Sequence, residues 1–241
     1  MSSIKNGFVA LAAALALIPA AASAGVVVAS SGPSASTYPV GKQLGAADRI
    51  VLRAGDTLTV LEGTGTRVLK GAGNFTLGQR AGPSKRSTFA VLTERRSATR
   101  MRTGAVRGVG DAGAVSQPNL WYVDVAHPGK VCLAGTDSVR LWRASSEALA
   151  GYTITAGAGG ASQKVTFGPG DALAAWDTKS LPLAAGTEYH IAAADGHSPG
   201  IVSFAILPEV AAEPEALAQQ LIANGCSWQL ELLSNAMLTQ G

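Results

Sequence analysis

The chain is poor in charge, in aromatic residues and in cysteine. Only 15% of its 241 residues are charged and 5% aromatic, while glycine numbers 29. That balance argues against a helical bundle laced with ion pairs and suits β-structure with many tight turns. Neither Cys132 nor Cys226 has a second Cys or a His at metal-ligand spacing, so no zinc site is expected. After the first two dozen residues no run of 18 apolar residues occurs, and no transmembrane segment is expected in the mature chain.

Recognisable catalytic patterns are missing as well. There is no G-x-S-x-G elbow, and Gly63-Thr-Gly65 and Gly71-Ala-Gly73 are not followed by Gly-Lys-Ser/Thr, so they read as hairpin turns rather than a phosphate loop. The three histidines fall in a turn (His127), a strand (His190) and a loop (His197). Asp124, Asp171, Asp177 and Glu188 are scattered singles, better read as turn and surface residues than as a glycosidase pair. Trp121, Tyr122, Trp142, Trp176 and Tyr189 are expected in a core rather than along a ligand groove. No catalytic residue, cofactor site or metal site is therefore assigned, and the expectation is a protein that is not an enzyme.

What is present begins at the N-terminus. Lys5, an apolar run over 8–18, Pro19 and an A-x-A ending at Ala24 make a secretory signal over 1–24, with cleavage after Ala24. No Cys stands at position 25, so no lipid anchor is expected. The mature chain is thus expected in the periplasm or outside the cell, where an oxidising environment lets Cys132 and Cys226 pair as a disulfide.

Short β-branched runs punctuated by turn residues recur from Val26 to Leu207. They predict a mainly β chain of two antiparallel modules. A small hairpin-rich sheet or barrel is expected over 25–93 and a β-sandwich over 119–241. Thr88-Phe-Ala-Val-Leu92 is expected as the last strand of the first module, and Leu120-Trp-Tyr-Val-Asp-Val125 as the first of the second. Near 214–239 the apolar period turns helical: Pro214 and Glu215 open one helix, Gly225 stops it, and Ser227 is expected to cap another.

Between the modules, 94–118 reads as a basic, Gly-rich linker. From Gly25 to Pro118 there are 13 basic and 5 acidic residues, and from Asn119 to Gly241 there are 5 basic and 11 acidic. The excess is concentrated in 80–107, where eight basic residues face Glu94 alone. Arg95, Arg96, Arg100 and Arg102 are the candidate residues for an anionic partner, either an anionic envelope surface or an unknown envelope protein. The cluster lacks interleaved aromatics, and nucleic acid is not expected as a partner.

The run from Gly55 to Phe75, with Arg67-Val-Leu-Lys-Gly-Ala-Gly-Asn-Phe75 at its end, resembles FecR-like periplasmic domains. That resemblance implies a non-catalytic β module of cell-surface signalling. The whole chain also resembles a family of small exported bacterial envelope proteins, through its leader, the Tyr38-Pro-Val-Gly41 turn and Asn224-Gly-Cys226. Together these lead to a non-catalytic envelope binding or interaction protein, in a sensory or signalling role. The alternative is a hydrolase of envelope polymers with an unrecognised site.

Overall fold

A computed structural model describes residues 23–77, 85–94, 117–194 and 200–238. Residues 1–22, most of the expected leader over 1–24, and the four candidate arginines, Arg95, Arg96, Arg100 and Arg102, lie outside the described residues, as does His197.

The first module is a four-stranded antiparallel sheet and a two-stranded one. Strands β1 (Ser23–Ser31), β2 (Gln43–Gly45), β4 (Thr57–Glu62) and β5 (Gly65–Lys70) pair in the order β2-β1-β4-β5, and β3 (Ile50–Leu52) pairs with β6 (Gly73–Phe75). The run Val26-Val-Val28 has no polar alternation because both faces of β1 are covered. Val27 joins Leu44, Ile50, Leu58 and Val60 in one core, while Val26 and Val28 point the other way into a second. The sheet is open, and the barrel alternative is set aside.

Asp56 organises the turn at one end of this module. It accepts hydrogen bonds from the backbone N–H groups of Ser34 (2.9 Å) and Arg53 (2.5 Å). Burial works to raise its pKa, but hydrogen bonds from the Ser34 side chain and these two backbone groups outweigh it and hold the carboxyl below the usual carboxylate range.

The second module is a sandwich of two sheets. The larger has the order β11-β10-β13-β14-β8, from β8 (Gly129–Leu133), β10 (Ala150–Ala156), β11 (Ser162–Phe167), β13 (Glu188–Ala193) and β14 (Gly200–Ile206). The smaller joins β12 (Leu173–Ala175), β9 (Arg140–Trp142) and β7 (Val123–Asp124). Pairing is antiparallel except for β14 with β8 and β7 with β9, which are parallel. Inward residues of both sheets, among them Leu141, Ile154, Phe167, Trp176 and Phe204, form one core. Trp176 meets Tyr189 and Phe204 edge-on at 5.2 and 5.5 Å between ring centroids, a favoured aromatic geometry.

Two expected strands take other forms. Thr88-Phe-Ala-Val-Leu92 lies in helix α1 (Arg86–Thr93), because Phe89 and Leu92, three residues apart, share its buried face. Of 120–125 only Val123 and Asp124 enter a sheet; Leu120 and Trp121 turn aside to bond the end of α1.

Helix α2 (Pro214–Ala223) begins with Pro at its first turn and ends before Gly225, whose φ of +71° a residue with a side chain rarely adopts. Helix α3 (Ser227–Ala236) starts with Ser227 as a helical residue; Cys226 occupies the cap and no side chain caps the end. These helices, expected at the end of the second module, pack between the two. Leu217, Leu221, Leu230 and Leu233 share a core with Val26, Val28 and Leu61 of the first sheet and with Cys132 and Leu207 of the second. Among the described residues, no helix is long and apolar enough to cross a membrane.

Glu215, half-buried at the start of α2, sits against the Gly63 turn. Burial pushes its carboxyl above the usual range and the neighbouring Glu213 and Glu62 add to the shift, against hydrogen bonds from its own N–H and that of Gly63. The folded chain therefore holds this proton to higher pH than the unfolded chain, and its contribution is lost as pH rises through the folded pKa. Glu215→Gln is expected to raise the unfolding temperature at pH 8. The gain should vanish below about pH 4, where the native carboxyl is neutral too. Thermal melts of both proteins across that range check it.

Candidate functional site

The described residue on each side of 95–116 is held in the same place. Helix α1 leaves its last carbonyls without intrahelical donors, and the chain supplies them on its return. Leu120 N–H donates to Leu92 O at 2.9 Å, Trp121 Nε1 to Thr93 O at 2.8 Å, and Asn119 Nδ2 to Glu94 O at 2.8 Å. Gln117, buried, stiffens the return by donating from Nε2 to Asn119 O and Tyr122 O. At the other end of α1, Lys85 N–H donates to Thr64 O of the β4–β5 turn.

Hence the basic segment leaves at Glu94 and returns at Gln117 within one hydrogen-bonded platform. Beside α1 lies an open groove of about 500 Å³ lined by Phe89, Ala90 and Thr93 and by residues 210–214, with Arg86 and Glu213 as its charged members. A second, of about 350 Å³, runs past Val91 and Pro118.

The platform is fixed from behind by the junction of α2 and α3. Cys132 of β8 and Cys226 form a disulfide with a Cα separation of 5.8 Å, closing a sequence separation of 94. Both residues are fully buried. Gln229, one helical turn on, accepts from Cys132 N–H at Oε1 (2.6 Å) and donates from Nε2 to Cys132 O (2.8 Å) and Leu120 O (2.7 Å). One amide thus ties the outer edge of the larger sheet to the segment that bonds α1. Sequence reasoning named the cysteines and passed over Gln229, whose only sequence signal is a polar residue inside an otherwise apolar helix stripe.

One histidine stands out. Asp124 is buried, accepts from Ala126 N–H, and faces His127 Nδ1 at 2.7 Å. The His127 ring stacks on Trp228 at 3.6 Å and 8°. A carboxylate behind an imidazole is what a general base or a metal ligand needs. Among the described residues, however, no hydroxyl or thiol bonds the ring and no three His, Cys, Asp or Glu groups stand together for a metal. The pair fixes the β7–β8 turn against α3. His190 lies in β13, and Asp177 binds the N–H groups of Lys179 and Ser180 and the Ser180 hydroxyl, which lowers its pKa. Trp121, Tyr122, Trp142, Trp176 and Tyr189 are all buried, in keeping with core packing.

In comparisons with known proteins, no family model, no curated protein and no solved structure matches this chain.

Proposed function

We propose that this is an exported, non-catalytic binding protein that presents the basic loop 95–116 from a rigid β platform to an anionic surface of the cell envelope. The observation that carries the reading is the tie between Asn119 and Glu94, which brings the two ends of the most basic stretch of the chain to one point. Within 95–116 five arginines stand against Asp111 alone. A field of one sign steers an anionic partner. The buried disulfide supports the export part of the reading, since such bonds persist in oxidising compartments. The resemblance of 55–75 to FecR-like domains supports a role in sensing or signalling at the envelope.

Individual exposed ion pairs contribute about 0–1 kcal/mol, so binding depends on several arginines acting together and weakens with salt. The test is co-sedimentation of the mature protein with vesicles rich in phosphatidylglycerol between low and high salt. Wild type is expected to bind at low salt and to be released at high salt. With Arg95, Arg96, Arg100 and Arg102 all replaced by Ser, affinity is expected to fall roughly tenfold or more and the salt dependence to flatten. Equal binding by both proteins, each verified as folded by its thermal melt, would sink the reading.

A further inference from the structure

We infer that Arg143 anchors a second anion site, which takes a small oxyanion group, a carboxylate or a phosphate, between the β9–β10 and β11–β12 connections of the sandwich. The site is independent of the basic loop and goes beyond the function proposed above.

Arg143 follows β9 on the inward side shared with Val139 and Leu141, a position where the alternation calls for an apolar residue. Its guanidinium carbon stands 5.0 Å from the ring centroid of Phe167, which is fully buried, so the cation lies over an aromatic face. Three carbonyl oxygens fix its orientation. Nε donates to Asp171 O at 2.9 Å, and Nη2 donates to Gly168 O at 3.0 Å and to Ser146 O at 3.5 Å. Gly170 N–H also donates to Ser146 O, at 2.6 Å, which ties the two connections and the side chain into one unit.

What this unit leaves over is charge. Carbonyl oxygens satisfy N–H bonds without neutralising the guanidinium, and a buried charge is costly unless an opposite charge meets it. Arg143 is only 7% exposed. Arg67 has Glu62 at 3.2 Å, but among the described residues no carboxylate pairs with Arg143, and Asp171 contributes its main-chain oxygen alone. The Nη1 nitrogen meets no acceptor there either and is not one of the enclosed polar atoms, so its N–H bonds are open to solvent. A guanidinium held rigid, with free donors and no counter-ion, has what arginine uses to take a carboxylate or a phosphate.

The test is a titration of the isotope-labelled protein with sodium phosphate and, separately, sodium acetate, at an ionic strength held constant with sodium chloride. The protein carries Ser at positions 95, 96, 100 and 102, so that the basic loop does not compete. Saturable shifts are expected in the NMR signals of the Arg143 Nε–H and of the amides of 144–149 and 168–171. Two charge-assisted hydrogen bonds correspond to half-saturation at about 1–10 mM. A response to phosphate alone assigns the site to phosphate groups, a response to acetate alone to carboxylates, and a response to both to either oxyanion. Arg143→Lys keeps the charge but not the planar donor set, and is expected to weaken binding roughly tenfold or more. If none of these signals shifts saturably with either anion, the inference fails, and that result stands even where the Lys variant does not fold. Equal binding by a folded Lys variant overturns it as well.

Discussion

Replacing Cys132 and Cys226 together by alanine is expected to lower the midpoint of thermal unfolding by about 10 °C. The bond closes a loop of sequence separation 94. For a loop of that size the chain-entropy model assigns roughly 4–5 kcal/mol, and losing a native disulfide typically costs about 2–5 kcal/mol. In a chain of this length each kcal/mol moves the midpoint by about 2–4 °C. Alanine is the right replacement because it adds no hydroxyl to a site where both residues are fully buried. The same burial makes a second outcome specific. Thiol exchange needs access to a sulfur, so mild reductant is expected to leave the folded protein unchanged and to reduce it only once denaturant opens the junction of α2 and α3. Mass analysis with a thiol-reactive label, before and after denaturant, reads this directly. Two labelled thiols in the native, unreduced protein would overturn it.

Much of the architecture is legible because the sequence repeats simple local rules. Turn residues at hairpin spacing mark β4 and β5, Pro214 and Gly225 bracket α2, and the alternation of Val139, Leu141 and Arg143 marks β9. The failures have one physical cause, which is long-range demand on a short segment. Phe89 and Leu92 fit either a strand or one face of a helix, and only the core they share with α2 and α3 decides for the helix. Leu120 and Trp121 carry every local mark of a strand. Their donors instead go to the open carbonyls of Leu92 and Thr93, almost thirty residues earlier in the chain. Nothing within a short window encodes that requirement.

The candidate site divides in the same way. Charge counting finds the basic run, since it depends on composition alone, and the pairing of two cysteines was expected from their number and the expected compartment. The closure of that run at its base depends on Asn119, a residue that reads locally as an ordinary loop amide. The placement of α2 and α3 between the modules was equally hidden. An amphipathic stripe states that a face is covered without stating by what, and the covering residues here, Val26, Val28 and Leu61, lie at the opposite end of the chain.

Gln229 carries the second large effect. Strand β8 is at the edge of its sheet, paired with β14 on one side only, and an open edge leaves N–H and C=O groups without partners. The Gln229 amide fills that edge at Cys132 as a neighbouring strand would, and its second amide hydrogen reaches Leu120 O. Gln229→Leu keeps the approximate volume and removes all three bonds, leaving three buried backbone groups unsatisfied. At about 1–3 kcal/mol for each such group, a loss of roughly 3 kcal/mol or more is expected, with faster hydrogen exchange at Cys132 and around residue 120. Gln229→Glu tells this account apart from simple loss of packing. An ionised carboxylate still accepts from Cys132 N–H but faces two carbonyl oxygens, so its folded pKa is raised and its stability is lost as pH rises. The Glu variant should therefore be the less stable of the two at pH 7 and recover at about pH 4, where the protonated acid donates to one carbonyl. Melts of both variants at the two pH values decide it. A Glu variant whose stability relative to wild type is the same at both would mean that the amide fills space and nothing more.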